Sequence, residues 1–119
     1  MFKLVMLLKK RPDISREQFR DYYSNRHVPF VHKLLKKGAA IHRRNFVVTS
    51  NGGEGEDYDA IVEVFYEDRQ TAEAAASALG DPEIRRMVEE DEDKFIQRGS
   101  IRRYIVEVQE TRFRPIEGV

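Results

Sequence analysis

Strand-like apolar segments and helical stripes alternate in the order βαββαβ, which predicts an α+β domain on an antiparallel four-stranded sheet. Two further observations point the same way. The chain is 119 residues long with 40% hydrophobic content, one domain's worth, whose folding removes roughly two-thirds of the unfolded surface from water. It has no cysteine, so the fold rests on packing rather than on disulfides, and cysteine nucleophiles or metal ligands are excluded.

The first strand is Phe2 to Leu8, ended by Lys9-Lys10-Arg11-Pro12-Asp13. Leu4, Met6 and Leu8 alternate with Val5 and Leu7, so both faces are apolar and the strand belongs in mid-sheet, covered on both sides. A helix follows. Ser15 and Gln18 have capping-box spacing, and Ile14 and Phe19 hold hydrophobic-staple positions. Its stripe runs Phe19, Tyr22, Tyr23, (His27), Phe30, Val31, Leu34 and Leu35. Pro29 should kink or divide this helix, and Gly38 behind Lys36-Lys37 should stop it.

The second strand spans Ala40 to Thr49, with His42, Arg44, Phe46 and Val48 on one face. A flexible loop covers Ser50 to Asp57, and Asp59 to Tyr66 is the third strand. Asp68 caps a second helix whose Ala72, Ala75, Ala76 and Leu79 allow close packing, ended by Gly80. Asp81-Pro82 opens another helical stretch with the stripe Ile84, Met87, Val88, (Asp91), Phe95. The fourth strand runs from Ser100 to Glu110, leaving a loose tail over 111–119 beyond a domain of 1–110.

This order is that of a ferredoxin-like split βαβ fold. Its helices cover one sheet face, and the other would expose a large apolar patch. A homodimer with two sheets packed face to face is therefore expected.

Charge narrows the partners. The 21 basic and 21 acidic residues cancel, which gives no pull toward nucleic acid. Lys9-Lys10-Arg11 and Arg43-Arg44 lack the interleaved aromatics of a nucleic-acid surface. No apolar run is long enough to span a membrane, and the opening eight residues are too short for a signal peptide, so a cytoplasmic protein is expected.

Polar residues in apolar slots are the functional clue. His27 lies eight positions after Phe19 and four after Tyr23; Asp91 lies three after Val88 and four before Phe95. Glu63 sits between Ile61 and Phe65 on one strand face. Pointing inward, the three would converge between helices and sheet, where a desolvated imidazole beside a carboxylate is a general base near neutral pH. The plainer alternatives are a core histidine satisfied by backbone or tyrosine, a solvated acidic run over Glu89 to Asp93, and a Glu63 paired with Arg43 or Arg103. Tyr23, Phe30, His42, Phe65 and Tyr104 are the candidate substrate-binding residues. No metal site is expected: His27 and His32 are five apart, about 140° around an α-helix, and His42 adds no recognisable spacing. The glycines 52, 53 and 55 lie in an acidic loop that leads into a strand, unlike a phosphate loop.

Three stretches together resemble the EthD-domain family of the dimeric α/β-barrel superfamily. They are Lys3 to Pro12, Ser15 to Tyr23 with His27-Val28-Pro29 behind it, and Asp57 to Tyr66. Asp91-Glu92-Asp93-Lys94-Phe95-Ile96 is similar to the family's acidic segment, with Gln97 standing where an aspartate is expected. The resemblance implies a barrel-forming dimer with a small pocket in each subunit. It also implies cofactor-free chemistry of the dehydratase, cyclase or isomerase kind on a small aromatic, lactone or carbonyl compound. His27 carries over as the family histidine and Asp91 as its acidic partner. The alternatives are a non-catalytic binding or accessory protein of an oxygenase pathway and a metal- and flavin-free monooxygenase.

Overall fold

The computed structural model describes residues 2–35, 38–51 and 57–118. Its centre is β1 (Phe2–Leu8), flanked by β3 (Ala60–Tyr66) on one side and β4 (Arg102–Glu107) on the other. β2 (Ile41–Phe46) pairs with β3 at the edge, giving the order β2-β3-β1-β4 with every pair antiparallel. That is the ferredoxin-like arrangement the element order predicts, with the all-apolar first strand in mid-sheet.

Both edge strands are shorter than their apolar patterns suggest, because a strand persists only as far as its partner. β2 pairs residue for residue with Ala60 to Phe65, and β4 with Phe2 to Leu7. Residues 111–118 carry no helix or strand and are exposed. The Lys36-Lys37 helix end and the glycines of the loop over 52–56 lie outside the described residues.

On the first helical stretch, α1 (Arg16–Tyr22) starts at a complete capping box between Ser15 and Gln18. A π-helical turn (Tyr23–His27) follows, and α2 (Val28–Leu35) continues from it. Pro29 thus acts one turn ahead of itself. It has no N–H to donate and crowds the carbonyl four residues back, and the chain answers with a wider turn in which Val28 donates to the Tyr23 carbonyl. Further on, α3 (Arg69–Leu79) is capped by Asp68, and α4 (Pro82–Glu92) by Asp81 with proline in the first turn.

Alternation along the strands decides what faces the helices. The inner face carries Leu4, Met6 and Leu8 of β1, Ala60, Val62, Val64 and Tyr66 of β3, and His42, Arg44 and Phe46 of β2. Against it pack Phe19, Tyr23, Phe95 and Ile96, which with the inner β3 residues make the core. Edge-to-face ring contacts tie Phe19 to Tyr23 and to Phe46, at centroid distances of 6.1 and 6.0 Å.

Among the described residues, no helix lies over the outer face. Val5, Glu63, Arg43 and Tyr104 share one cross-strand row, and Lys3, Phe65 and Ile41 the next. Glu63 therefore does not point inward as the sequence suggested. It binds Lys3, Asn45 and Arg43 on the outer face, and Lys3 and Arg43 also lie over the Phe65 ring. The reason is that Ile61 and Phe65 are the outer set of β3, while the smaller Ala60, Val62 and Val64 pack beneath the helices.

Candidate active site

Between the helices and the inner sheet face lies a cavity of about 340 Å³, within the range of small-molecule sites. Its walls are mainly hydrocarbon: Leu4, Met6 and Val64 from the sheet, Val31 and Leu35 from α2, and Leu79 from α3. Three imidazoles border it, those of His27, His32 and His42, and the Glu92–Arg103 pair borders it too.

His27 is at the end of the π-helical turn, 6% exposed, with its ring 4.8 Å from that of Phe95. Its Nδ1 lies 2.7 Å from Asp91 Oδ2. Tyr22 donates its hydroxyl to the other Asp91 oxygen at 2.6 Å, and Lys94 stands 3.6 Å from that same oxygen. Burial holds the imidazole below its ordinary pKa and outweighs the opposing bond to Asp91, so the ring is neutral at neutral pH. Burial also works against the Asp91 carboxylate, yet Tyr22, His27 and Lys94 together keep its pKa below the usual range. A neutral ring beside a carboxylate donates its Nδ1–H and leaves Nε2 with a lone pair. No described residue hydrogen-bonds to Nε2, and among the described residues no fully buried side-chain nitrogen or oxygen lacks a partner, so Nε2 is accessible on a ring that borders the cavity.

The second cluster is on the sheet side. His42, facing inward opposite Val64, has Nε2 at 3.1 Å from the Tyr23 hydroxyl and Nδ1 at 2.9 Å from His32 Nε2. Burial, then His32, Arg44 and His27, pushes the His42 pKa down to about 3. Burial and Arg44 lower that of His32 as well. Burial raises the pKa of the Tyr23 phenol. Burial likewise raises the Glu92 carboxyl, against the pull of Arg103.

The expected site residues thus divide. His27 and Asp91 meet, and His42 borders the cavity. Tyr23 is wholly buried and reaches the cavity only through His42. Phe30 is half-buried on α2 and is not among the lining residues. Glu63, Phe65 and Tyr104 lie on the far face of the sheet, so the placement expected of them is corrected. Arg103 pairs with Glu92, not Glu63. Sequence reasoning misses His32, which it considers only as a metal ligand, and Glu92, whose inward position is hidden in the acidic run over Glu89 to Asp93.

The EthD-domain family model matches residues 11–99. No curated protein matches the chain. Among solved structures, an EthD-family protein from Bacillus halodurans C-125 is 23% identical, with 92% of this chain and 99% of that one covered and a TM-score of 0.63. An EthD-like protein from Ralstonia eutropha JMP134 is 20% identical over 94% of this chain and 96% of that one, at a TM-score of 0.62. An Arabidopsis thaliana protein is 14% identical over 95% and 100% respectively, with a TM-score of 0.61. At these identities the structural likeness speaks to the fold alone.

Proposed function

We propose, from the premise that this chain belongs to the EthD-domain family, that it moves a proton on a small, mostly apolar carbonyl, lactone or aromatic compound. The reaction is of the lyase or isomerase type and uses side chains alone. The single observation behind this reading is the His27 ring on the cavity wall, with Nδ1 held by Asp91 and Nε2 without a partner among the described residues. His27 acts as the general base and Asp91 as its orienting partner, with Tyr22 fixing the carboxylate. The hydrocarbon walls exclude water from the transfer.

A non-catalytic binding protein would have all its cavity polar groups satisfied internally, and the open Nε2 weighs against that. Acetophenone, whose methyl protons flank a carbonyl, serves as a probe of proton abstraction. Deuterium uptake at that methyl in D₂O, accelerated by the protein and lost in His27→Gln, is the expected result. Equal uptake with wild type and variant would remove His27 from the mechanism.

The quaternary reading is a homodimer joined through the outer sheet face. Its support is the exposed apolar set there: Ile41, Ile61 and Tyr104 are 48%, 41% and 52% accessible in the single chain. A second copy would cover them and enclose the Glu63 ion cluster.

A further inference from the structure

The hydrogen-bond chain Tyr23–His42–His32 has a direction that its end residue fixes. Tyr23 is 1% exposed, and its hydroxyl has one partner among the described residues, Nε2 of His42. If that hydroxyl accepted instead of donating, its proton would be buried without a partner, which costs a buried donor its full desolvation. Tyr23 therefore donates and His42 accepts at Nε2. A neutral His42 must then carry its proton on Nδ1, which faces only His32 Nε2. His32 accepts there, so its own proton sits on Nδ1.

That nitrogen has no hydrogen-bond partner among the described residues. It lies beside Gly38, and both residues border the cavity. A Cβ on Gly38 would come within 2.8 Å of His32 Nδ1, so the absent side chain keeps the approach to this N–H clear. The cavity thus presents two neutral imidazoles of opposite function. His27 shows a lone pair, and His32 shows a proton.

We propose that His32 is the hydrogen-bond donor to the substrate's carbonyl oxygen, with Tyr23 and His42 as the positioning residues that set its tautomer. The proposal rests on the proton-transfer reading of His27 and narrows the substrate to a carbonyl compound with an adjacent C–H. In the step, that C–H bond breaks and the proton passes to His27 Nε2. The bonding pair becomes a C=C bond, and the carbonyl π pair moves onto oxygen, where His32 Nδ1–H holds it. Return of the proton to another carbon isomerises the compound, and its delivery to a departing β-hydroxyl dehydrates it. A neutral imidazole is a competent donor to an enolate, and loss of one such donor lowers a rate by about 10²–10³-fold.

Two measurements test this. The first is long-range ¹H–¹⁵N spectroscopy of the full chain with labelled histidine. His32 and His42 are expected as Nδ1–H tautomers, and in Tyr23→Phe both are expected to become mixtures. A His32 proton on Nε2 in the wild type, or an unchanged pattern in Tyr23→Phe, overturns the assignment.

The second compares binding of acetophenone with that of ethylbenzene, the same shape without the oxygen. Wild type is expected to prefer acetophenone about tenfold or more, and His32→Phe to lose that preference. Gly38→Ala, which places a methyl at the N–H, is expected to lose it too. Equal binding of the two probes by wild type, no binding of either, or an unchanged preference in His32→Phe overturns the donor role. His27→Gln is expected to keep the preference while losing deuterium uptake. A wild type that prefers acetophenone but exchanges nothing would therefore sink the His27 reading and leave the His32 assignment standing.

Discussion

Asp91 and His27 meet at 2.7 Å across 64 positions of sequence, one on α4 and the other at the end of a π-helical turn. Each interrupts an apolar stripe, and each supplies what the other lacks in a dry site. The carboxylate gains a donor, and the ring gains a fixed tautomer. Replacing Asp91 by Asn is expected to do more than remove charge, because an amide can offer its NH₂ to Nδ1 and turn the ring over to Nε2–H. Deuterium uptake by acetophenone should fall about 10²-fold or more in His27→Gln, and also clearly in Asp91→Asn. An Asp91→Asn protein with full activity would break the link between the two.

Tyr22→Phe removes one hydrogen bond to a carboxylate and keeps the ring that lies 5.2 Å from Phe95. The expected loss is about 1–2 kcal/mol in urea unfolding, with a decline in uptake smaller than that of Asp91→Asn. A stability equal to wild type would mean that His27 and Lys94 suffice for Asp91.

Stability should fall as the solution is acidified below about pH 6.5. His27, His32 and His42 all have folded values below that of an unfolded histidine, chiefly through burial. The unfolded chain therefore binds more protons, and the loss continues down toward the His42 value of about 3. Glu92, raised in the fold, works in the opposite sense near its ordinary range, while Asp91 and Glu63 add to the loss at lower pH. Urea midpoints at pH 7.5 and 5.5 check the sign, and His42→Gln should flatten the difference. Identical midpoints for the wild type would contradict it.

Ser15→Ala removes the hydroxyl that accepts from the Gln18 N–H, one half of the capping box on α1, and should destabilise the chain by about 1 kcal/mol. Since the box is exposed and remote from the cavity, acetophenone binding by the folded protein should stay unchanged.

Ile61→Arg places a charge on the outer sheet face beside Leu7 and Asn45. Sedimentation should show wild-type dimer and variant monomer. A wild type that sediments as a monomer would instead leave that face without its proposed partner.

Much of this was legible in the residues. The capping box, both aspartate caps, the mid-sheet position of the first strand and the two polar interruptions at His27 and Asp91 are local patterns, and local patterns survive folding. Glu63 was misplaced because both faces of its strand are apolar, so a period of two gives the alternation without saying which side meets the helices. The angle of about 140° between His27 and His32 argues only against a shared metal ion and says nothing of two rings bordering one cavity from different sides. No spacing rule shows that His42, on a strand, completes a chain from Tyr23 to His32, because that contact depends on the register of β2 against β3.

The widened turn at Tyr23–His27 also decides where the site tolerates a change of length. A π turn takes one more residue than an α turn for about the same rotation. Losing Ser24, Asn25 or Arg26 would therefore restore ordinary pitch and leave His32 facing His42, whereas a deletion within α2 ahead of His32 would turn it away by about 100°. Among descendants of this scaffold, lost codons are expected to be tolerated at the wide turn and to silence the pocket when they fall in the helix behind it.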